Sequence, residues 1–167
     1  VLAVTGSIAA IEAPKLAREL MRHGADVIAV MSKGAQYIIH PWALECIIGK
    51  PTITEIGGCC EHVQYCGEWK GKADLLIICP ATANTISKIA CGIDDTPVTT
   101  FATTALGSGM RVMLAPAMHG SMIKNPFVSE NLDKLKAAGI TIIDPRDEEG
   151  KAKLDWKTVA EAAISFF

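Results

Sequence analysis

Three stretches of this sequence place hydroxyls, small residues or histidine where a strand pattern gives way to a helix pattern. The first is Thr5-Gly6-Ser7-Ile8-Ala9-Ala10. Backbone N–H groups at such a helix start, aided by the helix dipole, make a phosphate site. A pyrophosphate would need further glycines for close backbone approach, and positions 8 to 10 are Ile, Ala and Ala, so the turn suits one phosphate. The competing reading is a tight turn with Ser7 as a helix N-cap. The second stretch, Pro80-Ala81-Thr82-Ala83-Asn84-Thr85, follows Ile78-Cys79 and leads into a helix over Ile86 to Ala90. Pro80 removes a donor and is expected to end the strand, the alanines let a flat ring lie against the backbone, and Thr82, Asn84 and Thr85 offer directional hydrogen bonds. It also reads as a plain capped turn. The third, Ala115-Pro116-Ala117-Met118-His119-Gly120-Ser121-Met122, repeats the Pro-Ala design and adds adaptable Met side chains and a histidine able to act on protons.

His62 stands among Cys59, Cys60 and Cys66, a grouping that invites a metal reading. The spacing lacks the paired Cys-x-x-Cys knuckles of structural zinc, so no metal is expected. His23, beside Gly24 at a helix end, and His40, before Pro41, receive no role.

The elements that must position these residues alternate in type. Strands are expected at Val1 to Thr5, Asp26 to Met31, Asp74 to Cys79, Arg111 to Ala115 and Thr141 to Ile143, with helical patterns between them. A helix from about Ala9 to His23 would bury Ile11, Leu16, Leu20 and Met21 and stop at Gly24; another from Phe127 to Ala138 would bury Phe127, Leu132 and Leu135 and close at Gly139. The alternation predicts a doubly wound α/β fold: a parallel sheet of Rossmann or flavodoxin-like type, three αβα layers, a single domain over residues 1–167. In such sheets ligands bind beyond the carboxyl ends of the strands, where the three stretches lie.

Composition narrows the classes. The chain has 167 residues, half of them apolar, and a net charge of −2. A chain of this length buries roughly 70% of its unfolded surface and needs no staple. No basic stripe suits nucleic acid, and the longest apolar run, around Leu75 to Cys79, is far short of the ~20 residues a membrane helix needs. Six cysteines in mostly apolar surroundings suit a reducing, cytoplasmic setting.

Taken together, the motifs resemble those of the homo-oligomeric flavin-containing cysteine decarboxylases, over nearly the whole chain. The family's Gly-Ser-Ile-Ala-Ala turn corresponds to Gly6 to Ala10, and its Pro-Ala-Ser-Ala-Asn-Thr motif to Pro80 to Thr85, with Thr82 for Ser. Its Gly-x-x-x-x-Leu-Leu-Thr-Thr stretch is similar to Gly92 to Thr100, where Pro97-Val98 replace the leucines, and its Pro-Ala-Met-Asn-x-x-Met motif to Pro116 to Met122, with His119 in place of Asn. The resemblance implies FMN, its phosphate near Gly6, Ser7, Ile8 and Ser32, and its ring and ribityl chain near Ala81, Thr82, Ala83, Thr99, Thr100, Ala117 and Met118. It implies a small-molecule substrate near Asn84, His119, Met122 and Lys151. The family's active-site histidine precedes the Pro-Ala-Ser-Ala-Asn-Thr motif by some twenty residues, and His62 occupies that place.

The implied reaction is FMN-dependent decarboxylation of 4′-phosphopantothenoylcysteine to 4′-phosphopantetheine, in coenzyme A biosynthesis. Carbon dioxide loss from a cysteine-derived carboxylate leaves a carbanion without an electron sink, and oxidation of the thiol carbon by flavin creates one. His62 would handle the thiol-side proton and orient substrate, and His119 would meet the carboxylate in place of the family's Asn, as in some archaeal members. The family's lid cysteine is missing from Asp147 to Lys153, leaving Lys151 or solvent to serve; that charged segment reads either as a lid or as an ordinary exposed loop. A trimer, or a dodecamer of trimers, is implied, as is a phosphopantothenate-cysteine ligase domain, fused or separate. Three readings compete with this one: a flavin-dependent reductase, for example of a pterin; a flavin prenyltransferase; and a non-catalytic flavin-binding regulatory module.

Overall fold

The computed structural model describes residues 1–144 and 154–167 in full, and between them the backbone of two short strands, Arg146–Glu148 and Lys151–Lys153. Its centre is a parallel sheet of five strands: β1 (Leu2–Val4), β2 (Ala29–Met31), β3 (Leu75–Ala81), β4 (Arg111–Pro116) and β6 (Thr141–Ile142). The order is β2-β1-β3-β4-β6, with Leu2 opposite both Ala29 and Ile77. All seven residues of β3 are buried, as expected of a strand covered on both faces.

Alternation along the strands sends side chains into two separate cores. Leu2, Val4, Met31, Leu75, Ile77 and Met113 face a layer made by α1 (Ala13–Arg22), α3 (Trp42–Ile48) and α9 (Trp156–Ile164). Ala3, Val30, Leu76, Ile78, Val112 and Leu114 face the opposite layer, where α4 (Glu61–Cys66), α5 (Ala83–Ala90), α6 (Pro97–Gly107) and α8 (Pro126–Ala137) pack. The expected three-layer, doubly wound architecture is therefore present.

Several local expectations are corrected. The first helix is divided into a 3-10 turn, Ile8–Glu12, and α1, which begins with Pro14 in its first turn, where a missing N–H costs nothing. Ile11 lies on the 3-10 segment, off the helical stripe, and is 51% exposed; Met21 is at the stripe's edge and also open to solvent. Phe127 is 72% exposed because Val128, one position on, takes the inward place at the start of α8. Pro80 does not end its strand: the β3–β4 register shifts between Ile78 and Ala81, and pairing resumes with Ala81 opposite Pro116.

Beyond β4 the chain forms β5 (Met118–His119) and α7 (Gly120–Ile123). The two short strands named above, β7 and β8, are antiparallel, and β8 pairs with β5, setting Ala152 opposite Met118 and Lys151 opposite His119. The segment expected as a lid or loop thus borders the third stretch through backbone pairing.

Candidate functional site

The strand order reverses between β1 and β3, and the loops after these strands are clamped together. Thr5 is 1% exposed, and its Oγ1 donates to the Pro80 carbonyl at 2.8 Å while accepting the Thr82 N–H at 3.0 Å. On the other side of β1, the Ser32 N–H reaches the Val4 carbonyl at 3.0 Å. There Gly6 lies so close to Gly34 that a Cβ on Gly6 would sit 2.9 Å from the Gly34 carbonyl carbon. Ser7 caps the 3-10 turn by accepting the Ala9 N–H at 3.4 Å, and Ser32 caps α2 (Lys33–Gln36) by accepting the Ala35 N–H at 3.2 Å. The result is a cradle of hydroxyls and helix-start amides, with Ile8 beside it 73% exposed. The phosphate reading and the N-cap reading describe the same residues.

Thr5 was not singled out as a site residue, although its signal was present: a hydroxyl closing an apolar strand just before a glycine. A buried hydroxyl there must find partners in the next strand, and it finds two.

At the end of β3, Thr82 caps α5, its Oγ1 accepting the Thr85 N–H at 3.3 Å. Ala81 and Ala83 are buried and Asn84 is exposed. The Ala117 N–H donates to the Ala81 carbonyl at 3.0 Å, so the second and third stretches lie side by side. Met118 is half-buried against the second core and Met122 is 46% exposed. His119 is exposed and caps α7. The Lys151 side chain lies outside the described residues.

Thr99 and Thr100 open α6, but their hydroxyls are spent locally. Thr99, 1% exposed, forms a reciprocal capping box with Thr96, and the Thr100 hydroxyl lies against the Asp94 carboxylate and the Thr96 carbonyl. Their hydroxyls serve the helix start rather than an open surface.

The structure does not bring His62 into hydrogen-bond contact with the cradle. Its helix, α4, starts after Cys60 in a left-handed conformation, φ 50°. The far end is anchored by Ser108 Oγ to the Cys66 carbonyl at 2.6 Å and by the Ala73 N–H to the Tyr65 carbonyl at 2.8 Å, beside the amino-terminal ends of β3 and β4. His62 Nδ1 is buried and has no hydrogen-bond partner among the described residues. Cys59 and Cys60 are exposed, burial pushes the Cys66 thiol up to about 11, and among the described residues no three His, Cys, Asp or Glu groups converge as metal ligands.

Among the described residues, cavities lie on both edges of the sheet. One of about 170 Å³ lies at the carboxyl ends of β4 and β6, between Pro116, Asp144 and Thr158. A larger one of about 660 Å³ opens at the opposite edge, around Leu2, Asp26, Lys72 and Asp74, away from all three stretches. Size alone would favour the larger; the convergence of polar groups favours the carboxyl edge. Among the described residues no helix is long and apolar enough to cross a membrane.

A parallel sheet whose order reverses between β1 and β3, with a capped, glycine-tight cradle at that reversal, defines a flavodoxin-like ligand-binding domain. The chain belongs to the Flavoprotein family, whose model matches residues 1–167. It is 62% identical over 154 residues to the coenzyme A biosynthesis bifunctional protein CoaBC of Thermococcus kodakarensis, covering 92% of this chain and 38% of that protein. It is 45% identical over 154 residues to CoaBC of Methanocaldococcus jannaschii, covering 92% of this chain and 36% of that one. The chain thus spans well under half the length of these relatives. Among solved structures, the FMN-dependent cysteine decarboxylase SpaF aligns with a TM-score of 0.84 at 29% identity, over 99% of this chain and 94% of that one. A mutant PPC decarboxylase complexed with pantothenoylaminoethenethiol aligns with a TM-score of 0.80 at 26% identity, over 99% and 95%.

Proposed function

We propose that this domain binds FMN at the β1/β3 reversal and decarboxylates 4′-phosphopantothenoylcysteine to 4′-phosphopantetheine, in coenzyme A biosynthesis. The observation that carries the reading is the cradle: Gly6 packed on Gly34, with Ser7 and Ser32 capping two helix starts beside it, takes one phosphate and has no second glycine turn for another. The names of the relatives and of the solved neighbours support the reaction. Gly6, Ser7, Ile8 and Ser32 hold the phosphate end. Ala81, Thr82, Ala83, Ala117 and Met118 hold the ring and ribityl chain, with Thr99 and Thr100 shaping that wall. Bound FMN supplies a two-electron acceptor for the thiol-bearing carbon, which makes the neighbouring carboxylate labile.

The chain's own groups do the rest. His62 handles the thiol-side proton. His119 orients the carboxylate, and Asn84, Met122 and Lys151 contribute to substrate binding. Because no hydrogen bond among the described residues ties His62 to its own cradle, the site is completed by a second copy, in a trimer or a dodecamer of trimers. A phosphopantothenate-cysteine ligase domain, fused or separate, supplies the substrate. Six free thiols suit the cytoplasm.

The test is mass spectrometry of the products after the purified, FMN-reconstituted protein is incubated with 4′-phosphopantothenoylcysteine. Appearance of 4′-phosphopantetheine is expected. Flavin-loaded protein that yields none refutes the decarboxylase reading and favours a reductase, a prenyltransferase or a regulatory module.

A further inference from the structure

His119 is held in one particular way. Its Nδ1 accepts the Ser121 backbone N–H at 3.2 Å and lies 2.8 Å from Ser121 Oγ. A backbone N–H can only donate, so the nitrogen facing it is the ring's acceptor, and the neutral imidazole carries its proton on Nε2. The Ser121 hydroxyl reinforces the same choice by donating to Nδ1. Nε2 makes no hydrogen bond among the described residues, and the ring is exposed beside Ala117, which is tied to Ala81 at the end of β3.

We propose that Ser121 is a positioning residue that fixes His119 in its Nε2–H tautomer, so that His119 serves as a hydrogen-bond donor to an anionic group of the substrate and not as a proton-accepting base. The lone pair a base would use points at Ser121; the N–H a carboxylate would accept points outward. An amide side chain, with its N–H donors, could fill the same office, and a histidine matches it only if its tautomer is fixed. The identity of the anion as the substrate carboxylate rests on the function proposed above; the tautomer does not.

The experiment uses FMN-loaded protein labelled with ¹⁵N at histidine. Long-range ¹H–¹⁵N spectra are expected to show Nδ1 of the neutral His119 ring as an unprotonated nitrogen and Nε2 as a protonated one, with Ser121→Pro, which removes both the backbone donor and the hydroxyl, moving the ring toward a mixture. In the same variant, affinity for 4′-phosphopantothenoylcysteine should fall about fivefold, one neutral hydrogen bond's worth, while affinity for 4′-phosphopantetheine, which lacks the carboxylate, stays put. Ser121→Thr should restore both signals. In a His119→Asn background Ser121→Pro should have no further effect. A protonated Nδ1 in the unmodified protein, or equal losses for the two ligands, overturns the proposal. If neither ligand binds the unmodified protein, the functional reading fails, while the nitrogen spectrum still decides the tautomer.

Discussion

The cradle at the β1/β3 reversal and the two histidines are built on opposite principles. In the cradle the polar groups are spent on one another: Thr5 Oγ1 joins Pro80 to Thr82, Ser32 caps one helix while its N–H ties to β1, and Gly6 is pressed against Gly34. Each histidine keeps a ring nitrogen without a hydrogen-bond partner among the described residues, Nδ1 at His62 and Nε2 at His119. A surface that must hold a fixed shape benefits from saturated hydrogen bonds, whereas a group that handles a proton or meets a substrate needs an unspent donor or acceptor. The contrast predicts that damage to the cradle shows first in stability and cofactor affinity, and damage to the histidines first in rate.

The sharpest break in that contrast would come from His62→Asn. Carbon dioxide release should fall by about 10²–10⁴-fold with FMN affinity and melting temperature unchanged. A parallel loss of FMN would place His62 in the holding machinery. Gly6→Val should do the reverse, since its side chain must displace the Gly34 backbone. Overpacking of this kind costs about 1–3 kcal/mol, so FMN affinity by fluorescence titration should drop by roughly ten- to a hundredfold. Thr5→Val removes the hydroxyl that joins these groups, leaving the Thr82 N–H without its acceptor and the Pro80 carbonyl with only the longer bond from the Thr5 N–H. Urea unfolding should register a loss of about 1–3 kcal/mol, and no loss would mean the clamp is incidental.

The smallest effect expected is alkaline. Burial raises the Cys66 thiol from an ordinary 9.0 to about 11 and raises Cys79 as well. As pH climbs, the unfolded chain loses these protons first, so stability is intact below the unfolded value and falls between there and the folded value. Denaturation midpoints should therefore decline as pH rises from about 9 toward about 11. Both thiols sit in the cores, one on each side of the sheet.

The sheet was legible because a strand buried on both faces reads as an apolar run, as at Leu75 to Cys79, and because each run ends in a turn signal. The gathering of the three stretches at one edge of the sheet was legible, since the topology of a doubly wound sheet brings together the loops that follow parallel strands. What escaped depended on three-dimensional partners. Thr5 looks like an ordinary strand end until Pro80 and Thr82 are beside it, Thr99 looks like a free hydroxyl until Thr96 closes a capping box around it, and Ser121 is one more small polar residue until His119 turns toward it. The outward turn of Ile11 and Phe127 was hidden because a 3-10 segment and a helix's first turn do not keep the 3.6-residue phase on which burial was judged.

The central claim is that the β1/β3 reversal holds a flavin by one phosphate. Parallel fluorescence titrations of the protein with FMN and with riboflavin, which differ only in that phosphate, test it most directly. FMN should bind at least about tenfold more tightly, as a charge-assisted phosphate contact requires, and Gly6→Val should erase most of the difference. Equal affinities for the two flavins would contradict the claim.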